Sequence, residues 1–354
     1  MGMKKLSLLS ILMAFVLLTA CGGNQGNTVS EAGEKGPDHV IRFVHEEQID
    51  SVQQSYVEEF KKIIEEKSDG NVHVEIYPVG QLGDATTQAE LLQIGAVDMA
   101  IVSPGNIGTM VPESQALLLH FLFSDDMQIN KQVLNESEAL YGPMNEAFLD
   151  RRIKVLSYWT EGFNHWTANT SFEQPSDFEG NRFRTMPSPL IVSSYEAYGA
   201  NPTPMPYEQV YSGLQLNMID GQTNPMFAIE QMKFYEVQSN MTLSRHSLYV
   251  TTTAINPDYY EGLPEDVQQM IDETVEEMKD KSFEIQNEQN SEDLETIKQE
   301  SNIEINELTG DQREAFREAS KSVREEYVEM VGNERAREII DTLEKEIQEL
   351  EGKN

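Results

Sequence analysis

Arg184 is the residue whose setting in this chain most clearly suggests chemistry. It lies in Arg182-Phe-Arg-Thr185, which reads as a short apolar strand. A Pro-punctuated crossover follows through Pro202, Pro204 and Pro206 to Tyr207. A helix over Glu208–Asn217 comes next, then a tight Asp220-Gly221 turn that ends in Asn224-Pro225. In an α/β sheet, strand ends and helix starts of this kind converge on one cleft. A fixed guanidinium there suits a carboxylate, because its planar fork matches two oxygens at once. Spacing alone leaves a structural ion pair open for Arg184, and turn capping open for Asn224. The pattern implies capture of a small carboxylate-bearing solute.

Enzyme signatures are sparse. The histidines are His39, His45, His73, His120, His165 and His246, and none pairs at metal-ligand spacing. His45-Glu46-Glu47 lacks the second histidine on one helical face that a zinc protease needs. No Gly-x-Ser-x-Gly elbow occurs. Gly80-Gln-Leu-Gly83 and Ser103-Pro-Gly105-Asn-Ile-Gly108 are too sparse for a phosphate loop and read as turns opening helices. No catalytic set, metal or cofactor is expected. A secreted lyase or hydrolase with Glu47 as base is the remaining enzymatic alternative.

Met1–Lys5 is a basic n-region, and Leu6–Leu18 is apolar apart from two serines. Leu18-Thr19-Ala20-Cys21 then sets small residues before the only cysteine. The apolar run is shorter than the ~20 residues that span a bilayer, so residues 1–20 read as a lipoprotein signal peptide. Cys21 is the expected lipid attachment point, which places the mature chain outside the cytoplasm, anchored to the cell membrane. No second cysteine exists for a disulfide. Residues 21–37, rich in Gly, Asn, Ser and Glu, read as a flexible tether. A formal charge of −35 repels nucleic acid, which is excluded as a partner. It also repels an anionic solute at long range, so a local cation in the cleft matters more.

The elements that must position these residues alternate. Strands are expected at Val40–His45, Val72–Ile76, Met99–Val102 and Ile153–Trp159. Helices are expected at Ser51–Glu66 and Thr86–Ile94, with two more in Asp125–Asp150 broken at Gly142-Pro143. This alternation argues for parallel βαβ units. Strands at His165–Ala168 and Arg182–Thr185 and a helix at Leu190–Tyr198 follow, then a β-rich run at Ser247–Ile255. A long helix is expected over Pro264–Gln299, a strand at Ile303–Glu307, and acidic helices at Asp311–Met330 and Glu334–Leu350. The fold class is α/β, a two-lobed clamshell like a periplasmic binding protein, with a long bracing helix. Lobe 1 is residues 38–161 with about 248–290 returning. Lobe 2 is residues 162–247 with about 291–354.

Several segments resemble the solute-binding proteins of tripartite ATP-independent periplasmic (TRAP) transporters, the DctP family. They are Val74–Gly83, Gly95–Ser103, Arg184–Pro225, Phe234–Val237 and Leu243–His246, and the resemblance runs from about Val40 to Gly310. It is strongest to the ectoine/hydroxyectoine-binding branch, through Phe43-Val-His-Glu-Glu47, Arg184–Leu190, Ala200–Tyr207 and Asn224-Pro-Met-Phe227.

The resemblance implies that Arg184 binds the ligand carboxylate and that Asn224 helps hold it. It implies that Glu47 faces a ligand cation and that Phe227 is an aromatic wall. Taken from the residues alone, Glu47 has a helix cap as its alternative, and Phe227 and Tyr207 have core packing. Tyr207 stands where the branch suggests tryptophan, and Asn106 where it suggests phenylalanine. Asn164 replaces a second arginine found in many members, which disfavours a dicarboxylate; it enters as a candidate polar contact. The implied partners are a small carboxylate or zwitterion, with an ectoine-like zwitterion favoured over a sugar acid, and the TRAP permease subunits. A ligand-sensing input protein is a further alternative.

Overall fold

The computed structural model describes residues 37–353. The expected signal peptide, Cys21 and nearly all of the tether lie outside the described residues. In chain order the strands are β1 (His39–Val44), β2 (Val72–Tyr77), β3 (Met99–Val102) and β4 (Lys154–Phe163). Then come β5 (His165–Ala168), β6 (Arg182–Thr185), β7 (Asn201–Pro204), β8 (Gly221–Asn224) and β9 (Asn240–Leu243). β10 (Leu248–Ile255) and β11 (Glu304–Glu307) complete them.

The first sheet has the order β2-β1-β3-β10-β4. β1 runs parallel to β2 and β3, while β10 is antiparallel to β3 and β4. Val52, Tyr56, Phe60 and Ile64 recur at helical spacing, so Val52–Lys67 lays one apolar stripe on this sheet. Burying each such side chain is worth ~1.5–3 kcal/mol. Ser51 starts the helix by accepting the Gln54 N–H at 3.1 Å.

The second sheet has the order β11-β9-β5-β8-β6-β7. Three of its strands carry weak sequence signals. β7 is Asn-Pro-Thr-Pro, which suggested only a crossover, but it pairs parallel to β6 alone at the sheet edge. Proline is tolerated there because one side of an edge strand needs no donor. β8 begins at the glycine of the Asp220-Gly221 turn. β9 has four residues and no alternation long enough to register as a strand.

The chain passes between the sheets at Asn164, between β4 and β5, and again at Ser244–Ser247, between β9 and β10. The passages are bonded to each other. Asn164 N–H donates to Ser247 O at 2.9 Å, and Asn164 Nδ2 donates to Ser247 Oγ at 2.9 Å. The helix Glu265–Glu300 runs alongside, ~54 Å long at 1.5 Å per residue. Its Asn290 donates to Glu161 O at 2.8 Å and accepts from Phe227 N–H at 3.1 Å. One side chain thus ties β4 of the first sheet to the helix that follows β8 of the second. The two-sheet α/β architecture and the bracing helix agree with the sequence reading.

The acidic C-terminal region differs from that reading. Its first helix is two, Gly310–Ser320 and Ser322–Val331. The last helix, Glu334–Glu351, buries Ala336, Ile339, Ile340, Leu343 and Ile347 among Val44, Ala100, Leu134 and Phe148. It therefore packs with the first sheet's core and not beside the second, where the sequence grouped it. Its sequence shows an apolar stripe but not which core the stripe meets.

Candidate ligand-binding site

A cavity of about 320 Å³ opens where the two sheets face each other. Glu46, Glu47 and Asn106 line it from the first sheet's side. Arg184, Met186, Tyr207 and Asn224 line it from the second, and Tyr249 from the start of β10.

Arg184 is 2% exposed. Nε and Nη2 both donate to Met205 O, at 3.0 and 2.8 Å. No carboxylate among the described residues lies within ion-pair distance, so the alternative of a structural ion pair is not what forms. Burial pushes the guanidinium down to about 10, against the pull of Tyr249, Tyr207 and Glu208. It remains charged at neutral pH.

Two carboxyls, Glu46 and Glu47, line this cavity and a third, Glu161, stands behind Glu47; all are buried. Glu46 and Glu47 follow β1 after His45. Glu46 accepts the Ser103 N–H at 3.1 Å and also the Ser103 hydroxyl. Burial nonetheless pushes it up to about 8. Glu47 Oε2 accepts the Gln53 N–H at 3.3 Å, so it does meet the first turn of the following helix, although Ser51 is the residue that caps it. Glu161, on β4, accepts from Gln53 Nε2 at 2.7 Å. Burial raises Glu47 and Glu161 as well, and each carboxyl lies within hydrogen-bonding reach of the other. No lysine or arginine among the described residues pairs with any of the three.

The remaining lining is amphipathic. The Tyr207 hydroxyl is buried and has no protein partner among the described residues. Burial holds it well above the usual phenol range. Tyr249 Oη lies 3.3 Å from Ser103 Oγ, and Asn106 Nδ2 lies 3.5 Å from the same atom. Asn224 is 5% exposed and donates to Gln222 Oε1.

The structure thus brings Glu47, Asn106, Arg184, Tyr207 and Asn224 to one cavity. It does not bring two other sequence candidates there. Phe227 is fully buried among Phe43, Trp159 and Met278, because it opens the helix Met226–Gln231 and turns toward the bracing helix. It lies in the core and not among the residues that line the cavity. Asn164 is bonded within the passage between the sheets and lines a separate space of about 30 Å³ with His120, Tyr195 and His246. Sequence reasoning missed Glu46, Glu161 and Tyr249. Glu46 stands beside Glu47 in the quoted motif and was readable. Glu161 was not, because β4 and β10 shift register nearby and Gly162 has φ +109°, so period-two counting does not give its direction.

The profile described as "DctP: Bacterial extracellular solute-binding protein, family 7" matches residues 43–330. The chain is 33% identical over 314 residues to the ectoine-binding periplasmic protein TeaA of Halomonas elongata, covering 88% of this chain and 91% of TeaA. The solved structure of that ectoine-binding protein superimposes with a TM-score of 0.84, covering 87% of this chain and 99% of the other. The ectoine/5-hydroxyectoine-binding protein UehA of Ruegeria pomeroyi is 32% identical over 303 residues, 85% of this chain and 89% of UehA. The C4-dicarboxylate-binding protein DctP of Rhodobacter capsulatus is 31% identical over 296 residues, 83% of this chain and 88% of the other. Relatives at similar identity thus carry names for different solutes. The chain belongs to the bacterial extracellular solute-binding protein family 7, the DctP family of TRAP transporter solute-binding proteins.

Proposed function

We propose that this protein captures a small zwitterion with one carboxylate and one delocalised cation, of the ectoine type, and hands it to a TRAP permease. Family membership makes it an extracytoplasmic, non-enzymatic transport component. The observation that carries the ligand reading is the pairing of opposite charges across one cavity. Arg184 is a buried cation without an anion on one side, and Glu47 is a buried acid without a cation on the other. A zwitterion supplies both missing partners. Arg184 and Asn224 would hold its carboxylate, with Tyr207 and Tyr249 as the aromatic faces beside its cation. An aromatic face contributes ~0.5–2 kcal/mol to a desolvated cation. Contacts from both sheets at once favour the closed clamshell by that difference in affinity alone.

A dicarboxylate fits less well. Its second carboxylate would meet Glu46 and Glu47, with Glu161 behind them and no second arginine to offset them. A sugar acid is the second reading, favoured by Asn106 and by carboxyls that accept hydroxyls. Calorimetric titration with ectoine, glucuronate and succinate decides. Tight ectoine binding is expected; tight succinate binding without an ectoine response would overturn the ligand class and leave the transport role standing.

The cysteine at Cys21 is proposed to carry the lipid anchor, on the sequence pattern before it. Cys21→Ala is expected to release the protein from the membrane fraction without changing solute affinity. Normal membrane retention of that variant would refute the anchor.

A further inference from the structure

Behind Glu47, which lines the cavity, lies a second buried acid, Glu161. Glu47 and Glu161 come from different elements, the segment after β1 and strand β4, yet one residue grips both. Gln53 donates its N–H to Glu47 and its side-chain amide to Glu161, while its Oε1 accepts the Glu46 N–H at 2.8 Å. The two carboxyls lie within hydrogen-bonding reach of each other, and Glu161 Oε2 is buried with no donor among the described residues. Two ionised carboxylates cannot share such a dry space; one proton between them removes the repulsion and supplies the missing bond. The other titratable and charged groups facing the pair are Glu46, Tyr207 and Tyr249, with Arg184 across the cavity. None of these is a cation bonded to the pair.

We propose that Glu161 determines specificity in this cleft: with Glu47 it holds one proton while the cleft is empty, and the cation of the solute replaces that proton. This rests on the zwitterion reading above. The exchange balances, since one positive charge enters and one proton leaves to solvent. A solute lacking a cation binds with the proton retained. Capture of a zwitterion therefore strengthens as pH rises, roughly tenfold per pH unit while the pair is protonated, and capture of a sugar acid gains nothing from it. The cleft tells the two solute classes apart by proton release as well as by shape.

The test is calorimetric titration of the wild-type protein with ectoine in phosphate and in Tris, buffers of unlike ionisation enthalpy. Release of about one proton per ectoine is expected, falling to near zero in Glu161→Gln, whose affinity is flat with pH. Ectoine binding with no proton release in the wild-type protein overturns the proposal and leaves the zwitterion reading intact. If ectoine does not bind, that reading fails, and the proton is sought in the empty protein. In the infrared carbonyl region of protonated carboxyls, loss of one component in Glu161→Gln, with that of Glu46 remaining, supports the shared proton; identical spectra overturn it.

Discussion

Arg184 is held by a single backbone oxygen, that of Met205, which accepts from both Nε and Nη2. That grip fixes the guanidinium plane and leaves Nη1 with no protein partner among the described residues. The fork is thus oriented before any solute arrives, which lowers the ordering cost of binding.

Arg184→Lys is expected to weaken ectoine binding more than tenfold while changing the melting temperature little. An ammonium keeps the charge but cannot hold the Met205 carbonyl and a bidentate carboxylate together. Calorimetry would check this, and wild-type affinity in the variant would remove Arg184 from the site.

The Tyr207 hydroxyl is buried without a partner, so the empty protein loses nothing when it is removed. Tyr207→Phe is expected to melt no lower than wild type. If the solute bonds this hydroxyl, affinity drops about three- to tenfold, in line with roughly 0.5–1.5 kcal/mol for one hydrogen bond. Unchanged affinity would place the hydroxyl outside the contact set.

Gly162 lies near the end of β4, two residues before the passage at Asn164, with φ +109°. A methyl group there would stand 2.9 Å from Asn290 Nδ2 and 3.2 Å from Gln286 Oε1. Gly162→Ala is expected to destabilise the protein by about 1–3 kcal/mol through backbone strain. Urea denaturation measures it; wild-type stability would show that the bracing helix yields at Asn290.

Burial raises Glu46 to about 8 from an unfolded value of 4.5. The folded state therefore favours its protonated form. That contribution is complete below about 4.5 and is lost as pH rises through about 8. Relative to Glu46→Gln, which does not titrate, the wild-type melting temperature should fall across this window. Parallel pH profiles for the two proteins would contradict the shift.

Much of the fold was legible. The stripe Val52, Tyr56, Phe60 and Ile64 gave its helix, the Met99–Val102 run gave β3, and the long helix was placed within a residue at each end. These elements bury one face with a clear period, so local pattern and tertiary packing agree. β7 and β8 escaped because prolines and a turn glycine mask strands that only neighbouring strands define. The cavity was half legible. Arg184 and Asn224 stand at strand ends that the motif marks. Phe227 looked the same in sequence but faces the core, since one residue along a helix turns a side chain by about 100°. Glu161 depended on a register shift with a partner strand some ninety residues later, which no local pattern records.

Neither sheet is a continuous piece of chain. The first waits for β10 at Leu248–Ile255 to join β3 and β4, and the second waits for β11 at Glu304–Glu307. During synthesis, then, neither lobe can finish before most of the polypeptide has been made. A nascent chain stalled before Leu248 has β3 and β4 without the strand that lies between them, exposing apolar edges that invite aggregation. Such a protein has no stable first half to detach, and a gene fragment ending between the two lobes should yield insoluble product rather than a smaller binding module.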